Sequence, residues 1–326
     1  MNSSLKKFDD EIIELRQHLQ YIQNITTEIG ETSSLYIYVN SITKRTFNYK
    51  SLIISLYGIV ENYCDRFIKT YLENLSTVIS EYSNLKEVIK KKNIRNSADL
   101  TLKVFDNKYL KYKHLKEVDL IRNLNSCLTD VPNYLLNYDG FTILSGNMKH
   151  AKVCELFKQI DLDLNQEFRK HTDFNLSNSE NQFIKLDELV EMRNEVAHGS
   201  VISLLDPSQI VEYVNFIEKY FKSLHKILTI DLEQEKLKYW RKFHCIEIEN
   251  AKVFAGNILG FSNLKNIAVT NESLIVIMKS DGSFQSAEIL NIKSFENNDL
   301  TLKLKSNTNL TGNRKFFCKI TDSTKN

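Results

Sequence analysis

The chain has 326 residues, 42% hydrophobic and 26% charged, the balance of an ordinary globular protein with room for two domains and a real core. A net charge of only +2 excludes a strong global field for nucleic acid or membrane, so any such surface must be local. Nine glycines and two prolines point to long helices and few tight turns.

Five cysteines (Cys64, Cys127, Cys154, Cys245 and Cys318) are odd in number and widely spaced. They read as reduced thiols in a cytoplasmic protein, without the paired spacing a zinc site needs. Met1 to Asp10 holds no apolar signal region, and no segment approaches about 18 uninterrupted apolar residues, so neither leader nor membrane span is expected.

Residues 5–29 place Leu5, Phe8, Ile12, Leu15, Leu19 and Ile22 at intervals of three and four, an amphipathic helix ended by Gly30. Residues 31–47 are mixed and fit either an extended piece or the start of the next helix. From Lys50 to Ile79 the pattern predicts a central buried helix, with Leu52, Leu56, Ile59, Tyr63, Phe67 and Tyr71 on one side.

Residues 81–128 are helical and basic. Between Lys86 and Arg122 eleven Lys and Arg face five Asp and Glu, an excess of six, with Phe105, Tyr109 and Tyr112 interleaved. That mixture suits RNA, because aromatic rings stack bases and cations hold phosphates, and Lys90, Lys91, Lys92 and Arg95 are its candidate residues. A solvated helical face is the competing reading. Pro132, Asp139 and Gly140 mark a loop, helical pattern resumes over Met148–Ile160, and a polar stretch, Asn175 to Asn181, follows.

A helix is then expected from Phe183 to His198, and it ends in Arg193-Asn194-Glu195-Val196-Ala197-His198-Gly199. Histidine moves protons near neutral pH, and arginine offers a planar fork of donors to a phosphate. The spacing alone is weak, since chance supplies an Arg–His pair four to six residues apart in roughly half of such chains; asparagine after the arginine and glycine after the histidine sharpen it. The alternative is structural: His198 serving the last carbonyls of its helix, and Arg193 paired with Glu188, Glu191 or Glu195. His150 and Cys154 share a helix face but are too few for a metal site.

The next helix start is well marked. Asp206 can cap, Pro207 suits the first turn, and Gln209 lies three residues past the cap, ahead of an apolar stripe from Ile210 to Ile227. The charged segment Asp231–Lys242 reads as a helical linker. After Cys245 the period shortens to two. Ile246/Ile248, Leu274–Met278, Phe284–Leu290, Leu300/Leu302/Leu304 and Phe316/Cys318/Ile320 are short, mostly alternating runs, separated by turn signals at Asn271-Glu272, Asp281-Gly282, Asn297-Asn298-Asp299 and Gly312-Asn313. Five or six strands of a small antiparallel barrel are expected.

The run Arg193–Gly199, closing one helix and followed at once by another, is similar to the signature of the HEPN superfamily. The earlier segment Tyr57-Gly58-Ile59-Val60-Glu61-Asn62-Tyr63 resembles the apolar stretch ending in glutamate of several HEPN branches. The likeness spans residues 5–230, and no companion nucleotidyltransferase signature is present. The fold class is therefore α+β: an all-α HEPN-like bundle over residues 1–230, a helical linker over 231–244, and a small antiparallel β-barrel-like domain over 245–326.

The resemblance implies a homodimer that pools two such helix ends, because Arg193 and His198 lie about 140° apart around one helix. It also implies metal-independent RNA cleavage with no cofactor. His198 would act as proton carrier, Arg193 would stabilise phosphoryl charge, and Asn194 would orient the histidine or hold a phosphate oxygen. Glu61, a glutamate on an otherwise apolar helix face, either orients Arg193 or His198 or serves a surface or capping role. A toxin or antiviral effector is the expected biological setting. The competing reading is a catalytically silent module that binds RNA, a nucleotide or a protein. The C-terminal domain carries ten basic and eight acidic residues from Cys245 on, too flat a footprint for non-specific nucleic-acid binding, and is expected to dock a regulatory partner or ligand, or to hold the dimer.

Overall fold

The computed structural model describes residues 1–30, 33–107, 109–129, 133–143, 146–172, 174, 182–199, 201, 203–243, 245–254, 257–263, 269–271, 273–279, 284–295, 299–305 and 314–319. Pro132, the Asn175–Asn181 stretch, Glu272, Asp281-Gly282, Asn297-Asn298, Gly312-Asn313 and Ile320 lie outside them. A mostly helical N-terminal region is followed by a curled antiparallel half-barrel of seven strands. Internal contacts divide the chain into two compact units, Met1–Leu228 and Thr229–Asn326.

In the first unit, α1 (Asn2–Glu28) buries Phe8, Ile12, Leu15 and Leu19, the stripe its spacing predicts. Residues 31–47, open between two readings, contain α2 (Ser34–Val39) and the first turns of α3 (Ile42–Val78). Ser33 and Ser41 cap those helices through their side chains, so local capping decides a stretch whose hydrophobic period does not. Helix α3 is the central element. Its ring Tyr63 meets Phe8 edge-on at 5.1 Å, and Phe67 meets Phe221 at 5.9 Å. The Tyr63 hydroxyl donates to Glu11 at 2.8 Å, which fixes α1 on α3.

The basic region is two helices, α4 (Glu87–Phe105) and α5 (Glu117–Leu128). A buried polar seam holds them. Asn96 donates to Gln159 at 2.8 Å, and Asn137 donates to Ser97 and to the Leu120 carbonyl, both at 2.9 Å. Each satisfied amide matters here, since an unpartnered buried one costs about 1–3 kcal/mol. Then come α6 (His150–Lys158), α7 (Leu164–His171), the motif helix α8 (Ile184–His198) and α9 (Pro207–Phe243). At the start of α9 the Asp206 N–H donates to the Gln209 side chain at 3.0 Å, half of the capping box its sequence announces. No helix among the described residues is long and apolar enough to cross a membrane.

In the second unit the strands are β1 (Cys245–Ile248), β2 (Lys252–Phe254), β3 (Ile258–Ser262), β4 (Leu274–Met278), β5 (Phe284–Ser294), β6 (Asp299–Leu304) and β7 (Lys315–Lys319), in the order β1-β7-β4-β5-β6-β3-β2. Five of them are the alternating runs of the sequence. β2 and β3 are the additions: β2 is a three-residue exposed edge, and Gly260 interrupts the apolar pattern of β3, so neither shows a run of period two. β4 and β5 pair antiparallel, as the hairpin signal between them requires. Within this unit Leu237 of α9 packs with Val276 and Phe317, so this part of the helix belongs to a small core of its own.

Candidate active site

Helix α8 presents the motif. Its buried apolar set is only Leu186, Leu189 and Val190, so most of its surface is left for other work. Three acidic side chains fasten it. Asp187 accepts the backbone N–H of His150 at 2.8 Å, Glu188 accepts the Tyr213 hydroxyl at 2.8 Å, and Glu191 pairs with Lys149. The first and third tie α8 to the start of α6. Gly199 ends the helix in the left-handed region, φ 73°, and its N–H closes onto the carbonyls of Glu195 and Val196. A glycine is what this conformation favours.

Arg193 does not pair with the acids around it. Its guanidinium lies over the ring of Tyr57 on α3, 4.7 Å from the centroid, and donates to Asn194 Oδ1 at 3.0 Å. Among the described residues it forms no ion pair. Tyr57 is buried, and its hydroxyl accepts the Met148 N–H at 3.3 Å, which pins the ring. Burial pushes the Tyr57 phenol up; the Glu61 carboxylate one turn along α3 adds to that, and Arg193 opposes it. Arg193 and Glu61 therefore both act on the Tyr57 phenol through charge, and Asn194 bonds Arg193. Glu61 makes no hydrogen bond or ion pair among the described residues, so any orienting effect on Arg193 acts through charge.

His198 is exposed at the helix end, and among the described residues its ring makes no hydrogen bond. The Glu195 and Val196 carbonyls are met by the Gly199 N–H and not by the imidazole. Asn194, one turn earlier, is half-buried on the same face.

The basic candidates stand apart from this group. α4 packs mainly on α5 and on the Tyr138–Thr142 turn. Lys90 is drawn into local structure, donating to the Ser83 carbonyl at 2.9 Å and pairing with Glu87, while Lys91 and Arg95 are exposed and Lys92 is half-buried. Phe105, at the far end of α4, and Tyr109 are exposed, but Tyr112 is buried. His150 is structural: its ring stacks on Phe183 at 3.6 Å, and its two nitrogens meet the Tyr220 hydroxyl at 3.0 Å and Asn165 at 2.9 Å.

Tyr57 is the residue whose part the sequence does not announce. It falls four residues before Glu61, hence on the same side of α3, which is the one signal that could have linked it to the site.

The chain belongs to the RiboL-PSP-HEPN family, whose profile matches residues 6–229. Membership points to an RNA-related, nuclease-type role. No curated protein and no solved structure matches the chain.

Proposed function

We propose that the protein is a metal-independent endoribonuclease acting as a toxin or antiviral effector, with Arg193, Asn194 and His198 as its catalytic residues. The observation that carries this reading is the state of the two charged or ionisable groups. Arg193 is positioned by Tyr57 and Asn194 yet keeps its charge unpaired among the described residues, and His198 is exposed with its ring uncommitted.

In the reaction, a nucleotide 2′-hydroxyl attacks its own phosphorus while one His198 accepts the proton. The bond from phosphorus to the 5′-oxygen breaks, and a protonated imidazole returns a proton to that oxygen. The products are a 2′,3′-cyclic phosphate and a free 5′-hydroxyl. Arg193 stabilises the charge that builds on the non-bridging oxygens. The two proton roles fall to two histidines, one from each copy of a homodimer, since Arg193 and His198 of one helix diverge by about 140°. Glu61 biases the site electrostatically from α3.

The test is cleavage of total RNA by the purified protein in EDTA. His198→Ala and Arg193→Ala should each lower the rate by at least about a hundredfold without changing the circular dichroism spectrum. Parental rates in both variants would remove these residues from the mechanism, and strict dependence on added metal would point to another site.

A further inference from the structure

The outer face of the half-barrel carries a feature that the ribonuclease reading does not use. Strands β2, β3 and β6 lie side by side, with Lys252 opposite Gly260 and Gly260 opposite Thr301, and Ser262 opposite Asp299. The core-facing residues of these strands are Leu259, Phe261, Leu300, Leu302 and Leu304, so the alternate set faces outward. That set has a floor of small residues, Gly260, Ser262 and Thr301, and over it opens a concavity of about 510 Å³.

Of the three phenylalanines in its lining Phe261 is buried, while Phe254 and Phe295 remain 50% and 56% exposed, unusual for rings that could have been buried. Gly260 is what lets Phe254 lie against the sheet: a Cβ there would come within 2.7 Å of the ring. Lys252 and Asp299 are exposed in the same lining, and among the described residues neither forms an ion pair. From the register they sit two strands and two residues apart, about 12 Å between Cα atoms. Asn250, in the left-handed region at φ 55°, adds an amide to the rim.

We propose that this concavity binds a single unstacked nucleotide: the base against the exposed rings, its N–H edge donating to Asp299, and its phosphate on Lys252. Stacking by aromatic rings accepts any base, and a carboxylate that only accepts hydrogen bonds favours guanine, whose edge donates. One lysine suits one phosphate and not a polyanionic duplex, in keeping with the near-neutral charge of the domain. The inference is independent of the catalytic assignment.

Calorimetric titration of the full chain carrying His198→Ala, which keeps RNA intact if the catalytic reading holds, tests it with two probes: 5′-GMP and a short guanine-containing single-stranded RNA. Saturable binding of GMP identifies a free nucleotide as the ligand; binding of the RNA alone identifies a strand. Either result should weaken about tenfold or more in Phe254→Ala/Phe295→Ala, both positions being exposed enough to spare the fold. Lys252→Ala should weaken GMP binding about tenfold or more. Failure of both probes to bind at millimolar concentration, or unchanged affinity in the double variant, overturns the proposal. The oligonucleotide's binding to the aromatic variant also separates this site from any contact made at Arg193.

Discussion

At the scale of single residues, the site rests on a tyrosine beneath an arginine. A cation over an aromatic face is worth about 0.5–2 kcal/mol, more as water is excluded, and here the ring is buried and the guanidinium half-buried. Tyr57→Leu should therefore cost about two- to thirtyfold in cleavage rate. Tyr57→Phe keeps the ring and should retain most activity, but it strips the Met148 N–H of its acceptor and should lower stability by about 1–3 kcal/mol. Parallel rate assays and thermal melts check both; equal rates in Phe and Leu variants with equal melts would deny the ring its role. As candidates, Arg193, Asn194 and His198 are legible in the sequence because the motif is local. Tyr57 is not: its contact with Arg193 joins residues 136 positions apart, and only the packing of α3 on α8 creates it.

At the scale of elements, α8 is held at its start by α6. Asp187 receives the first N–H of α6 and Glu191 receives Lys149, while His150 at that same position fills a cage of Phe183, Phe168 and Tyr220. Burial holds the His150 pKa below its ordinary value, and His225 shifts in the same direction for the same reason. The unfolded chain then takes up the proton first as pH falls. Stability should be level above the ordinary histidine value of about 6.5 and decline below it, toward the lowered folded-state values. His150→Gln should flatten part of that decline in melting temperature between neutral pH and mildly acidic buffer; an unchanged slope would mean the buried imidazole is not the titrating group. The sequence announced α1, α8 and the start of α9 through spacing and caps. It left 31–47 undecided and showed neither β2 nor β3, because an exposed edge strand and a glycine-broken buried one carry no period of two.

At the scale of the whole molecule, helix α9 contributes to both compact units, and the place to divide the chain is set by packing rather than by charge. Leu237 and Trp240 look like parts of a charged linker in sequence, yet Leu237 is buried with Val276 and Phe317. A chain ending at Leu228 should fold, dimerise and cut RNA in vitro, whereas one ending at Lys242 leaves Leu237 without its strand partners and should aggregate more readily. Light scattering on both distinguishes the outcomes, and an active monomer of the shorter chain would contradict the pooled site. Mixing Arg193→Ala with His198→Ala protomers should restore part of the activity that neither has alone. The measurement that bears most directly on the central claim is the chemistry of the cut ends. RNA digested by the parental protein in EDTA should carry 2′,3′-cyclic phosphate and 5′-hydroxyl termini by mass spectrometry, a matched DNA should stay intact, and His198→Ala should yield neither terminus. Cut DNA, 5′-phosphate ends, or the same cyclic ends at the same rate from the His198 variant would contradict it.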